Sequence, residues 1–283
     1  MAIYSIKEMI KDAHEKKYAV GAFVCVNLEM IQAVIEAAEE ENSPVIVQAH
    51  PEIRSKTTFE TFANIVFNFA KYCKVPVGLS LDHGETLEDV VDAISAGFNG
   101  VMIDGAEHSF EKNVEMTREV VKIAKGKNIF VEGSLGEMPH GVIQKEEDMP
   151  KPEEIKELFE RTGIDIIAPA VGNIHGSAHG EVKKNPKLNI SLIKRISDLT
   201  NKPICLHGGS SIEENQMKSA IEAGISKVII FSDVVKGIND SIRKVLENSD
   251  AGVNPLFYLQ DSQNEAKKII KKKLITFGSV NKA

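Results

Sequence analysis

Eight short apolar runs divide this chain of 283 residues, and each is followed by a segment with helical spacing. The runs fall at 19–26, 44–49, 75–82, 100–104, 129–136, 164–172, 203–207 and 227–232. Near-continuous apolar strands need cover on both faces, which a parallel sheet between helices provides. Alternation of strand with helix makes successive strands parallel. A count of eight closes the sheet into an α/β fold, the (β/α)8 TIM barrel, for which this length is ordinary. An open doubly wound sheet is the alternative. Helical spacing marks 5–17, 28–42, 57–73, 86–98, 110–127, 152–163, 191–200, 212–224 and 233–248. Thr57 or Thr58 is placed to cap the third of these. No linker or composition shift interrupts the chain. Residues 1–283 read as a single domain, with a C-terminal helical extension over about 255–283.

In such a barrel the working end is the C-terminal edge of the strands. Three runs stop there in a His followed by Gly. VPVGLSLDHG closes on His83, IDIIAPAVGNIHG on His175 and Gly176, and KPICLHGGS on His207 and Gly208. A lone His in that position is a satisfied or surface histidine by default. Three in the same relation to three strands converge, and three His with an open fourth position suit a catalytic zinc. Asp82 precedes His83, so in a regular strand the two side chains point to opposite faces. A bend at the strand end would bring both to the mouth. Asp82 would then be an acid or base beside the metal, or a group that orients a ligand. A buried capping or ion-pair carboxylate is the plainer alternative.

Gly208, Gly209, Ser210 and Ser211 form a turn ahead of a helix, a source of backbone N–H donors for an anion. Ser232 stands in the same relation to the next helix. Either serine alone is an N-cap. The pair sits after strands seven and eight, the recurrent phosphate position of the fold. A divalent metal beside a phosphate niche suits a reaction in which a carbonyl is polarised and an enediolate stabilised. Aldol cleavage of a ketose phosphate requires this.

Charge and cysteine usage exclude other classes. The net charge of −7 argues against nucleic acid or an anionic membrane as partner. The basic run Lys267, Lys268, Lys271, Lys272 and Lys273 reads as the solvated face of the last helix. No apolar run approaches the roughly 18 residues of a membrane span. The opening MAIYSIKEMIKDAHEKK is amphipathic and charged, unlike a signal peptide. Cys25, Cys73 and Cys205 lie in or beside apolar runs, as reduced thiols of a cytoplasmic protein do. The segment 137–152, EMPHGVIQKEEDMPKP, holds three prolines and no period. It reads as a long mobile loop at the barrel mouth.

LDHG, GNIHG and LHGGS together resemble the class II, zinc-dependent fructose- and tagatose-bisphosphate aldolases. The similarity runs nearly end to end, through GAF near residue 21, LEMIQAVIEAAEEENSPVIVQ, GVMIDG, FEKNVEMTREVV, VEGSLG and FGSVNKA. It implies one Zn2+, or another divalent metal, on His83, His175 and His207. It implies Asp82 as the acid that protonates the alkoxide of the aldehyde half. Gly176, Gly209, Ser210 and Ser232 fall where the family holds the phosphate of the dihydroxyacetone-phosphate half. A small phosphorylated sugar as partner, and a homodimer or homotetramer, are also implied.

The departures cluster at the site. The family's AFNxN is Ala22-Phe23-Val24-Cys25-Val26, with only Asn27 polar, and His50 stands where a serine is common. Ser134 replaces the second glutamate of ExELG, an alternative metal ligand. In KxNxxTD, Ile229 replaces the asparagine that contacts the enediolate, and Phe231 precedes Ser232. The loop glutamate that serves as base has no clean match. Glu146 and Glu147 are nearest, and Glu137 is a third candidate. A kept metal site with lost polar partners implies a ketose phosphate other than fructose 1,6-bisphosphate. The alternatives are a weakened or inactive homologue that binds a sugar phosphate, and another metal-dependent lyase or isomerase on the same barrel.

Overall fold

A computed structural model of the chain describes residues 3–137, 144–174, 186–210, 212–247 and 253–283. The expected ligand His175, Gly176 and Ser211 lie outside the described residues, as does 138–143 of the mouth loop. After α1 (Ile6–Lys16), strands and helices alternate: β1 (Val20–Val24), α2 (Leu28–Glu40), β2 (Val45–Ala49), α3 (Phe59–Ala70), β3 (Val77–Leu81) and α4 (Leu87–Ser95). Next come β4 (Gly100–Ile103), α5 (Phe110–Ala124), β5 (Phe130–Leu135), α6 (Pro152–Thr162), β6 (Ile166–Pro169) and α7 (Ile190–Thr200). The chain continues with β7 (Ile204–Leu206), α8 (Glu214–Ala223), β8 (Ile225–Ile230), α9 (Ser232–Glu247) and α10 (Pro255–Phe277). All eight strand pairs are parallel and β8 closes on β1, so the expected barrel is the fold.

Each strand is buried on both faces, which explains its unbroken apolar run. Val45, Val47, Leu79 and Leu81 face the helices. The alternate positions Ala22, Val24, Ile46, Phe130, Cys205 and Ile229 face the barrel axis. α1 plugs the N-terminal end of that axis. A Cβ on Gly78 or Gly100 would stand 2.5 Å or 2.8 Å from Ile6, so only glycine leaves room for the plug. Side chains of Asn27, Thr58, Thr86 and Ser109 cap the helices that follow them.

Some expectations need correction. β8 starts at Ile225, two residues early, because Ser226 and Lys227 are buried strand residues despite their polarity. β6 ends at Pro169, since Gly172 turns with φ +90°. A 3-10 turn, Pro51–Ser55, follows β2. The lysines of α10 are not simply a solvated face. Lys267 pairs with Glu36 and Glu40, Lys271 with Glu40 and Glu41, and Lys273 with Asp233 at 2.5 Å. The cause is that α10 packs against α2 and α9, both of which offer acids. Beyond α10, Ser279 Oγ meets Ser43 Oγ at 2.9 Å. No helix among the described residues is long and apolar enough to cross a membrane.

Candidate metal centre

The site grows from the inward register positions at the strand ends. The Asp82 N–H donates to the Ala49 carbonyl, so the β3 alternation continues past Leu81 and Asp82 points to the axis. His83 then adopts φ +43°, the left-handed region that is costly for a residue with a Cβ. Gly84 returns to the ladder beside β4, donating to the Met102 carbonyl and accepting from the Asp104 N–H. This one-residue reversal is the bend that brings both side chains to the mouth. Ligand atoms of Asp82, His83 and His207 lie within 4.8 Å of one another.

His83 Nε2 and His207 Nδ1 face each other at 3.0 Å. The outer nitrogen of each ring meets a carboxylate: His83 Nδ1 to Asp104 Oδ2 at 2.6 Å, His207 Nε2 to Glu132 Oε1 at 2.8 Å. Burial alone would raise the pKa of Asp104. Its bonds from His83 and Ser134 outweigh burial and hold the carboxyl well below the usual range. Glu132 is likewise held low, with burial overcome by the charge of Lys227 and the bond from His207. Ionised carboxylates oblige the outer ring nitrogens to donate. In the neutral rings the inner nitrogens then present lone pairs to each other across 3.0 Å. Such a pair calls for a cation. Without a metal a proton fills that role: burial would lower the His83 pKa, but Asp82, Asp104 and Glu132 push it up to about 9, and the Nε2–H then bridges the two rings. Two imidazoles backed by carboxylates are a donor set for zinc or a similar divalent ion. Asp82 Oδ1, buried and without a partner among the described residues, belongs to the same cluster. The residues present therefore fit a divalent metal.

The backing groups are themselves held. Ser134 Oγ donates to Asp104 Oδ1 at 2.6 Å, and Asn113 of α5 donates to the Ser134 carbonyl at 2.8 Å. Lys227 Nζ donates to Glu132 Oε2 at 2.5 Å, with both side chains fully buried. Asp104, Glu132 and Lys227 are joined to the two histidines by these contacts, and the sequence reading gave none of the three a role. The available signal was a lone charge inside each of two buried runs, VEGSL and KVII, because such charges require a partner. Cys205 also lies close to Glu132 and His207. Burial and the charge of Glu132 raise its pKa well above the ordinary thiol value, so it stays a protonated filler.

The glycine–serine turn lies against β8. Gly208 has φ +62°, and a Cβ there would strike the Ile174 carbonyl. The Gly209 N–H donates to the Ile229 carbonyl at 3.0 Å. Ser210 is buried, and its Oγ accepts from the backbone N–H groups of Phe231 and Asp233, both at 3.3 Å. Ser232 opens α9 and is half-buried. α8 begins only at Glu214, while the bonds of Gly209 and Ser210 run to the β8–α9 junction. Glu146 and Glu147 are exposed on a 3-10 turn. There Glu146 accepts from Asn189 and Glu147 pairs with Lys145. Glu137 is exposed. His50 caps the turn after β2, with its ring 6.0 Å from that of His83.

The sequence pattern described as fructose-bisphosphate aldolase class-II matches residues 4–282. The chain belongs to the class II fructose-bisphosphate aldolase family. As a member of this aldolase family it is a carbon–carbon lyase of the metal-dependent class. It is 37% identical to a fructose-bisphosphate aldolase of Geobacillus stearothermophilus over 100% of this chain and 99% of the relative. It is 36% identical to one of Staphylococcus epidermidis over the full length of both. Among solved structures, the YdjI aldolase of Escherichia coli K12 superposes with a TM-score of 0.88 at 31% identity, over 99% of each chain.

Proposed function

We propose that this protein is a zinc aldolase that cleaves or forms a ketose phosphate by way of dihydroxyacetone phosphate. In this reading its substrate is other than fructose 1,6-bisphosphate. The observation that carries the reading is the facing His83–His207 pair, with its lone pairs turned inward by Asp104 and Glu132. His175 is the third ligand. A divalent ion bound here supplies Lewis acidity, which polarises the substrate carbonyl and offsets the charge that develops beside it.

The remaining work falls to the chain. Asp104 and Glu132 keep the two rings in the ligating tautomer. Asp82, buried beside His83, gives its proton to the aldehyde oxygen as the carbon–carbon bond forms, and takes it back from that hydroxyl as the bond breaks. Glu146 or Glu147 takes the proton from the dihydroxyacetone-phosphate half before the bond forms, and returns one to that carbon after the bond breaks. Gly176, Gly208, Gly209, Ser210 and Ser232 form the phosphate niche, in which Ser210 fixes the two turns and Ser232 offers its hydroxyl. Residues 1–283 act as one domain, in the cytoplasm, as a homodimer or homotetramer that engages neither nucleic acid nor membrane.

The substrate reading is supported by Ile229, which faces the axis, and by Phe231, 38% exposed at the end of β8. Both put apolar surface where sugar hydroxyls would need polar partners. Ile229 equally favours a second reading, a metal-bearing homologue with weak or no turnover. A different lyase reaction on the same barrel is the third. The test is a coupled assay for dihydroxyacetone phosphate release over a panel of ketose phosphates, headed by fructose 1,6-bisphosphate because the relatives carry that name. Metal analysis is run on the same preparation. One zinc per chain and faster turnover of another ketose phosphate are expected. Preference for fructose 1,6-bisphosphate overturns the substrate reading, and bound zinc without turnover favours the second.

A further inference from the structure

Three buried side-chain atoms find no partner among the described residues, and they belong to two neighbouring residues: Gln48 Nε2, Gln48 Oε1 and Asp82 Oδ1. Gln48 lies near the end of β2 on the inward face it shares with Ile46, and it is fully buried. Its register partner on β3 is Ser80, and Asp82 is the next inward position after Ser80. With strands about 4.8 Å apart and two residues of rise, the two Cα atoms are roughly 8 Å apart. A Gln side chain and one water molecule span that gap to an Asp carboxylate.

A buried amide offers two donors and an acceptor, and leaving them unpaired is costly. The neighbouring inward groups are apolar or engaged. Ile46 and Val24 are apolar. Glu132 is taken by His207 and Lys227. Ser80 donates to the Leu81 carbonyl at 3.3 Å, which leaves its oxygen free to accept. A buried water needs two to four polar partners. Gln48 Nε2, Asp82 Oδ1 and Ser80 Oγ supply them: the amide donates to the water, and the water donates to the carboxylate and the hydroxyl.

We propose that Gln48 is a positioning residue for the aldol reaction and holds the Asp82 carboxyl through one buried water. With one oxygen tethered below, the other faces the mouth, where the hydroxyl of the aldehyde half gives up or regains its proton. The proposal rests on the reading of Asp82 as the proton donor.

Gln48→Met keeps the volume of the side chain and removes its polar atoms, a change a buried site tolerates when no partner charge is stranded. The zinc-loaded variant is compared with the parent, with Asp82→Asn, and with the double variant. For each, zinc content, kcat and KM for cleavage, and proton exchange on dihydroxyacetone phosphate are measured. Gln48→Met should lower kcat for cleavage between about tenfold and 10²-fold, as a small misplacement of a reacting group does. KM, zinc content and proton exchange should stay near the parent values. The double variant should be no slower than Asp82→Asn alone. Gln48→Met cleaving at the parent rate beside a slow Asp82→Asn overturns the proposal alone. Asp82→Asn cleaving at the parent rate overturns the proton-donor reading and the proposal with it. Equal losses in cleavage and exchange, loss of zinc, or multiplied losses in the double variant would mean a general structural role and also overturn it.

Discussion

Replacing Lys227 with methionine removes one half of a buried ion pair. Its Nζ lies 2.5 Å from Glu132 Oε2, with the two side chains 0% and 1% exposed. The variant leaves the Glu132 charge buried, with the His207 N–H and the Cys205 thiol beside it. Breaking such a pair from one side costs about 3–5 kcal/mol. A chain this long loses about 2 °C per kcal/mol, so the variant should melt roughly 6–10 °C below the parent. Adding Glu132→Gln removes the stranded charge, while Oε1 still accepts from His207. Replacing both charges is close to neutral, so the double variant should recover to within about 1 kcal/mol of the parent. The assay is calorimetric melting of metal-free protein at pH 7. If Lys227→Met melts within about 2 °C of the parent, or the double variant melts no higher than Lys227→Met, the pair does not tie β5 to β8 as argued.

His207→Ala should lose the bound zinc while its circular dichroism stays that of the parent; a full equivalent of zinc in the pure variant would refute the ligand assignment. Asp82→Ala should keep its zinc and slow cleavage by about 10²–10⁴-fold, with proton exchange on dihydroxyacetone phosphate much less affected. Asp104→Asn should weaken zinc binding about 10–100-fold in competition with a chromophoric chelator, since it no longer fixes the His83 tautomer. Glu40 is held below the usual carboxylate range by its hydrogen bonds from Lys271 and then Lys267. A carboxylate with a depressed folded pKa stabilises above its unfolded value, near 4.3, and loses that contribution as pH falls. Glu40→Gln should therefore melt slightly below the parent at pH 7, by a salt-sensitive margin that closes below about pH 4.

The barrel is legible in the sequence because burial on both faces writes itself as eight apolar runs, and His83 and His207 are legible because each ends such a run. What escapes is whatever depends on a partner across the barrel. Lys227 and Glu132 stand 95 residues apart and each interrupts an apolar run, so hydrophobic period alone reads them as strand ends or noise. Asp104 is visible at a strand end, but its task is set by the ring of His83, which is positioned by a backbone reversal no period encodes. Helical spacing correctly isolates the lysine face of α10. It carries no information on the acids of α2 and α9 that meet that face.

The Ser210 hydroxyl grips the backbone of Phe231 and Asp233, and Gly209 grips Ile229. Loops at the mouth of a (β/α)8 barrel are commonly treated as interchangeable parts on a fixed frame. Here the last two behave as latch and catch. A recombination crossover placed between β7 and β8 would part them, and a loop grafted onto either strand would have to bring its own bridge. A library aimed at substrate choice should therefore vary 208–210 and 231–233 together, as one inherited unit.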